Sequence, residues 1–248
     1  MNITIKNNEE IEKMRKAGKI LKETLDLMER SIYPGQTSAH LNDLAYNYII
    51  SQGAKPSFLN YEGFPYTICA SVNAQVVHGF CSDVPLKEGD IISIDCGVIW
   101  EGYHSDAART FAVGNISIEK SNLIEATKQS FFEGIKGIKA GDRLGHISHR
   151  IQTYLEERGY GVVRELCGHG VGKNLHEDPQ VLNYGKYNSG IQLVSGMTLA
   201  IEPMSTMGKR YVYLEDNDWT VTTRDGLPSA HYENTVLITD TGVEILTL

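Results

Sequence analysis

Asp95 and Asp106 lie eleven residues apart, on either side of the turn-like stretch Ile99-Trp100-Glu101-Gly102. Asp95 closes the apolar run Ile91-Ile92-Ser93-Ile94, and Asp106 sits in the strand-like segment Tyr103–Val113. A hairpin turn centred between Trp100 and Glu101 would pair the two aspartates directly, on one face, with Cβ atoms about 4.5–5.5 Å apart. Carboxylates that close repel each other and raise one pKa unless a cation lies between them. Taken alone, the pair fits either a divalent-metal site or two solvated side chains separated by a bulge.

The second half of the chain adds polar residues where an apolar core would be expected. Glu202 ends the run Met197-Thr198-Leu199-Ala200-Ile201, and Glu233 precedes the apolar stretch Thr235–Ile238. A charge at a strand end is usually just solvated, so each glutamate has weight only in company. His169 stands in Gly168-His169-Gly170-Val171-Gly172, where glycines remove bulk and permit positive φ, so the imidazole is expected on a tight loop. Four carboxylates and one imidazole suit Mn²⁺, Fe²⁺ or Co²⁺ better than a structural zinc. Such a set is large enough for two ions about 3.5–4 Å apart. Cys167 and His169 would make a nucleophile–base pair only on an extended strand, which the glycines disfavour. His78 and His176 are either groups acting near the metals or ordinary loop histidines.

These residues need elements to position them. Ile11, Met14, Ala17, Leu21, Leu25 and Met28 recur at helical spacing and predict a helix over 9–30, capped by Asn7 or Asn8. Pro34-Gly35 stops it, and a second helix runs from about Ser38 to Ser51. Strands are expected at Thr67–Val72, Ala74–His78, Ile91–Val98 and Tyr103–Val113. The order then repeats: helices near 118–136 and 142–158, and strands at Gly161–Leu166, Met197–Glu202, Trp219–Thr223, His231–Ile238 and Val243–Leu248. At an offset of 106, Gly35, His40, Tyr48 and Gly53 fall on Gly141, His146, Tyr154 and Gly159. The repeat favours an internal duplication. We therefore expect one α+β catalytic domain, 1–248, of two lobes (about 1–114 and 115–248) with a cleft between them.

Composition narrows the class. Of 248 residues, 41% are hydrophobic, enough for a substantial core. A net charge of −8 without a basic run argues against nucleic acid as a direct substrate. No apolar stretch approaches the roughly 20 residues of a membrane span. Glu9, Glu10, Lys13, Arg15 and Lys16 occupy the place of a signal peptide's apolar core. The four cysteines form no CxxC pair and read as reduced thiols of a cytoplasmic protein.

Five segments now combine: Ile94-Asp95-Cys96-Gly97, His104-Ser105-Asp106, Gly168-His169-Gly170-Val171-Gly172, Ile201-Glu202-Pro203-Met204 and Tyr232-Glu233-Asn234-Thr235. In order and spacing they resemble the metal-ligand motifs of type I methionine aminopeptidases, and the resemblance covers essentially the whole chain. It implies the pita-bread fold: two pseudo-symmetric lobes, helices covering a curved antiparallel sheet, and a metal site in the central cleft. It further implies that Asp106 and Glu233 bridge two divalent ions, Asp95 completing one site and His169 with Glu202 the other. Co²⁺, Mn²⁺ or Fe²⁺ are the expected ions, with Zn²⁺ or Ni²⁺ as alternatives. A metal-activated water would attack the first peptide bond, with Glu202 as general acid/base. His176 would stabilise the oxyanion and His78 would contact the peptide beside the scissile bond. Tyr61, Phe64, Cys69 and Trp219 would form the apolar pocket for methionine. The implied partners are nascent polypeptide N-termini with small second residues, with a transient ribosome contact and a monomeric state.

Two departures stand out. Leu175 replaces a frequent Phe, and His231 replaces a common Gln, which introduces a titrating group near the ligands. Prolidases and aminopeptidase P share the fold but carry an extra N-terminal domain, whereas this chain is expected to start with the first lobe. Non-catalytic pita-bread modules lose metal ligands, whereas all five are retained here.

Overall fold

The computed structural model describes residues 2–248, so Met1 lies outside the described residues. The first half comprises α1 (Asn8–Ser31), α2 (Ser38–Ser51), β1 (Lys55–Pro56), β2 (Ile68–Val72), β3 (Gln75–Val77), β4 (Ile91–Trp100) and β5 (Tyr103–Ala112). The second opens with α3 (Ile118–Ile135) and α4 (Leu144–Glu156). Short strands follow: β6 (Gly161–Val162), β7 (Gly168–Gly170), β8 (Glu177–Val181), β9 (Thr198–Ile201), β10 (Met204–Thr206), β11 (Val212–Leu214), β12 (Val221–Thr223), β13 (Ser229–His231), β14 (Asn234–Ile238) and β15 (Val243–Ile245). All ladder pairings are antiparallel. No helix among the described residues is long and apolar enough to cross a membrane.

Helix α1 starts at a capping box: Glu10 N–H donates to Asn7 Oδ1 at 3.1 Å, and Asn7 N–H donates back to Glu10 Oε2 at 2.9 Å. Its apolar stripe divides its work. Ala17, Leu21, Leu25 and Met28 pack with Ile92, Ile94, Cys96 and Val98 of β4, while Ile11 and Met14 reach Val171, Leu237 and Leu246 of the second half. Gly18 is required for this approach, because a Cβ there would lie 2.1 Å from the Leu246 carbonyl oxygen. A separate core under α3 and α4 gathers Phe131, Ile147, Ile151, Leu199, Ile201 and Val236.

The β4–β5 hairpin differs from expectation by two positions. Its turn is Glu101-Gly102, both at positive φ (47° and 81°), which matches the right-handed strand twist and closes on the pair Trp100–Tyr103. Asp95 therefore faces Ala108, and Asp106 faces Gly97. A shift of two preserves the alternation, so the aspartates keep one face but sit on a diagonal, with about 7–8 Å expected between such positions. Nor is His231–Ile238 one strand. The chain leaves the β13–β10–β6 sheet after His231 and joins β9 at Asn234, and Glu233 bonds Ala108 in between (N–H···O 3.0 Å).

That crossing joins the two halves. His231 N–H donates to Thr110 Oγ1 and Thr110 Oγ1–H to the His231 carbonyl, both at 2.9 Å. Asp106 N–H donates to Thr235 Oγ1 at 2.8 Å, and the same hydroxyl donates to the Asp106 carbonyl at 2.9 Å. Thr235→Val keeps the shape but strands both backbone groups. Loss of such a buried partner costs about 1–3 kcal/mol, so urea unfolding of metal-free protein should show a destabilisation in that range. An unchanged midpoint would mean that this joint does not depend on the hydroxyl.

Candidate metal centre

The register across the joint arranges the acidic residues. Asp95, Ala108 and Glu233 form one row across adjacent chain segments, and Gly97 and Asp106 begin the next. Gly97 admits the segment packed against it: a Cβ there would lie 2.6 Å from Ser57 Cβ and 2.9 Å from Phe58 Cε1. Arg109, alternating to the other face, donates from Nη2 to Asn234 Oδ1 at 2.6 Å and to the Thr247 carbonyl at 3.2 Å. Its Nη1 donates to the carbonyls of Ala108 (2.8 Å) and Glu233, so the backbone carrying Glu233 is pinned from behind. The guanidinium also stacks 4.4 Å from the Tyr232 ring. Asn183 Nδ2 holds the Glu202 carbonyl in the same way, at 2.9 Å. Neither Arg109 nor Asn183 was evident from spacing, since each acts through backbone groups remote in sequence.

His169 corrects the expectation of a glycine loop. It stands on a strand, β7, paired with β8 and β9. Its glycines serve close approach rather than positive φ: a Cβ at Gly168 would lie 2.2 Å from Ala200 O, and one at Gly170 2.2 Å from Asp178 O. The extended geometry does not revive a Cys167–His169 pair. His169 Nδ1–H donates to the Gly170 carbonyl at 2.9 Å, which turns the Nε2 lone pair toward Asp106 Oδ2 (3.6 Å) and Glu202 Oε1 (3.7 Å). Burial meanwhile pushes the Cys167 thiol up.

One cavity of about 160 Å³ is lined by every candidate site residue: Asp95, Asp106, His169, Glu202, Glu233, His78, His176, Tyr61, Phe64, Cys69 and Trp219. Phe58, Glu62 and Leu175 also line it; Leu175 stood out in the sequence as a departure from a frequent Phe, whereas nothing there marked Phe58 or Glu62. The rim opposite the carboxylates is apolar, with Phe64 and Trp219 edge to face at 5.1 Å and Phe58, Cys69 and Leu175 packed against them. Tyr61 Oη and His176 Nδ1 share a hydrogen bond of 2.9 Å; in the tautomer where the phenol donates, His176 Nε2–H is free to donate in turn. His78, at φ 57°, is held in the left-handed region beside Gly79, where a Cβ would meet Ala70 O at 2.3 Å.

The electrostatics call for a cation. Burial first, then mutual repulsion, pushes Asp106 and Glu233 well up from the carboxylate range, and burial with the Asp95 charge does the same to Glu202. Burial raises Asp95 to about 7. Burial, with His176 nearby, lowers His169 to about 4 and keeps it neutral at pH 7. Asp95 Oδ1, Asp106 Oδ1 and Glu233 Oε1 are buried and find no hydrogen-bond partner among the described residues. Unpartnered carboxylate oxygens around a neutral imidazole fit a divalent metal, which supplies the charge and takes up the lone pairs.

The comparisons agree with this geometry. The model of metallopeptidase family M24 matches residues 12–240, and the chain belongs to that family. It is 56% identical to the methionine aminopeptidase of Clostridium acetobutylicum over 99% of both chains, and 49% identical to methionine aminopeptidase 1 of Bacillus subtilis, again over 99% of each. The crystal structure of methionine aminopeptidase from Rickettsia prowazekii superimposes with a TM-score of 0.98 at 43% identity, covering 100% of both chains. A prolidase from Pyrococcus furiosus shares the fold at TM-score 0.79 and 26% identity, with 65% of that chain covered. The fold is therefore the α+β pita-bread architecture, and the chain is a metal-dependent aminopeptidase.

Metal and stability are linked through these carboxylates. Their folded pKa values lie above the unfolded value of about 4, so metal-free protein takes up protons on folding and loses stability as pH rises from there through about 7. A bound metal displaces those protons. The rise in Tm caused by excess Mn²⁺ over chelated protein should therefore grow between about pH 5 and pH 8. A rise that shrinks with pH would contradict the assignment.

Proposed function

We propose that the chain removes initiator methionine from nascent proteins whose second residue is small, using two divalent ions held by Asp95, Asp106, His169, Glu202 and Glu233. One observation carries this: a buried carboxylate–imidazole centre opens directly onto an apolar slot, within one cavity. Bound metal lowers the pKa of water and polarises a carbonyl. Asp106 and Glu233 would hold both ions, and Fe²⁺, Mn²⁺ or Co²⁺ would be the preferred ions, with Zn²⁺ or Ni²⁺ as alternatives. The unit is one catalytic domain of two lobes meeting near residues 114–115. It works as a cytoplasmic monomer with transient access to nascent chains at the ribosome.

Each side chain has a part. Tyr61, Phe64, Cys69 and Trp219 receive the unbranched, polarisable methionine side chain. Its amino group lies toward the carboxylates. Glu202, whose pKa burial raises, takes a proton from the attacking water and returns it to the leaving amine. Because Tyr61 occupies Nδ1 of His176, Nε2–H points to the substrate, where it donates to the carbonyl oxygen as negative charge develops. His78 lies across the cleft against Trp219, 6.4 Å between rings, and contacts the peptide beside the scissile bond. A prolidase activity is disfavoured by this slot, which suits a long apolar side chain before the scissile bond.

Met-Ala-Ser should be cleaved by metal-loaded enzyme and not after chelation, with activity returning on metal addition. Prolidase substrates such as Ala-Pro cut at comparable rates would refute the assignment. His176→Ala should lower kcat by roughly 10²–10³ while metal content, read by mass spectrometry, stays unchanged. Loss of metal would instead place His176 among the ligands. A peptide beginning Met-Asn, like this chain's own Met1-Asn2, should have kcat/KM lower than Met-Ala by at least about tenfold, because the larger amide would be desolvated against the metals and His78. The mature protein should accordingly retain Met1, which intact-mass measurement reads directly.

A further inference from the structure

The metal-centre reading leaves one buried side chain unused. His231 is 1% exposed, and neither of its ring nitrogens has a hydrogen-bond partner among the described residues. Buried polar groups are rarely left so, and each exception calls for a bound partner. Its surroundings restrict what that partner can be. Nε2 lies 3.8 Å from Glu202 Oε2 and 3.8 Å from Glu233 Oε2, too far for a hydrogen bond to either. His169 Nε2 stands in the same relation to its carboxylates, 3.6 Å from Asp106 and 3.7 Å from Glu202. Glu202 is thus flanked by one imidazole at each oxygen.

Donors that share one ion at about 2.0–2.2 Å cannot lie more than about 4.3 Å apart, and both imidazoles meet that limit. Two groups of potential ligands gather at the site: Asp106, His169 and Glu233, and Asp95, His231 and Glu233. They share only Glu233, and each contains one histidine. We propose that His231 is a metal ligand in this chain, giving the ion position of Asp95 a nitrogen donor that the five-ligand set lacks. The proposal rests on the metal-centre reading above. Ligation through Nε2 leaves the imidazole proton on Nδ1. A nitrogen at this position shifts preference from Mn²⁺, which favours oxygen ligands, toward Fe²⁺, Co²⁺ or Zn²⁺.

The test titrates metal-free wild type, His231→Gln and His169→Gln with Mn²⁺ and with Co²⁺. Bound equivalents are counted by mass spectrometry, and imidazole nitrogens by pulsed electron paramagnetic resonance of the Mn²⁺ protein. Wild type should show two distinct imidazole nitrogens. His231→Gln should lose one, keep that of His169, and bind the second ion at least about tenfold more weakly, with a larger loss for Co²⁺ than for Mn²⁺. A single nitrogen in wild type, or an unchanged count in His231→Gln, overturns the proposal. The wild-type count needs no variant, so a glutamine variant that fails to fold does not shield the proposal. Wild type that binds no ion at all would strike the metal-centre reading and this proposal together, a result distinct from the one-nitrogen outcome.

Discussion

Four carboxylates crowded into a low-dielectric cleft cannot all be ionised without a cation, and the rest of the molecule is arranged around that constraint. Desolvation and mutual repulsion oppose the charged state, as the raised values of Asp106, Glu202 and Glu233 record. Flexible side chains would escape such crowding by turning to solvent. Here they stand on or beside paired strands whose outer faces are sealed by α1 and α2 or by α3 and α4, and escape would disrupt both cores. Folding therefore creates an electrostatic demand that protons meet at low pH and that a divalent ion meets when the carboxylates are ionised.

The same rigidity gives the centre its reach. Backbone pairing sets Asp95, Ala108 and Glu233 in one row, while Arg109 and Asn183 grip the backbone carbonyls of Glu233 and Glu202 rather than their carboxylates. Support of this kind holds geometry without consuming the carboxylate lone pairs that a metal needs. Beside the charged centre lies an apolar slot, and the Tyr61–His176 hydrogen bond joins the two environments. The charged centre and the apolar slot thus line a single cavity.

Much of this was legible in the amino-acid order. Helical spacing gave α1 and α2 nearly to the residue, because caps and apolar periodicity are local. The five acidic and imidazole candidates were legible because charged residues at the ends of apolar runs conflict with burial unless they serve something. That the aspartates share a face was also legible, since alternation along a strand survives any even shift of register. Which residues they oppose was not: the two-residue turn at Glu101-Gly102 depends on how strand twist and aromatic pairing close the hairpin.

Tertiary structure alone decided the rest. Short strands such as β8, β10 and β11 carry too few residues for a periodic pattern and exist because a partner strand lies alongside. The glycines around His169 looked like a loop because sequence shows a missing side chain but not the carbonyl oxygens of Ala200 and Asp178 that require its absence. Likewise, nothing near His231 in the chain reveals that its ring would be buried beside two glutamates with no hydrogen-bond partner among the described residues. Residue types and local spacing determine which groups can ligate a metal. Long-range pairing and burial determine which of them meet, because those depend on atoms contributed from a hundred positions away.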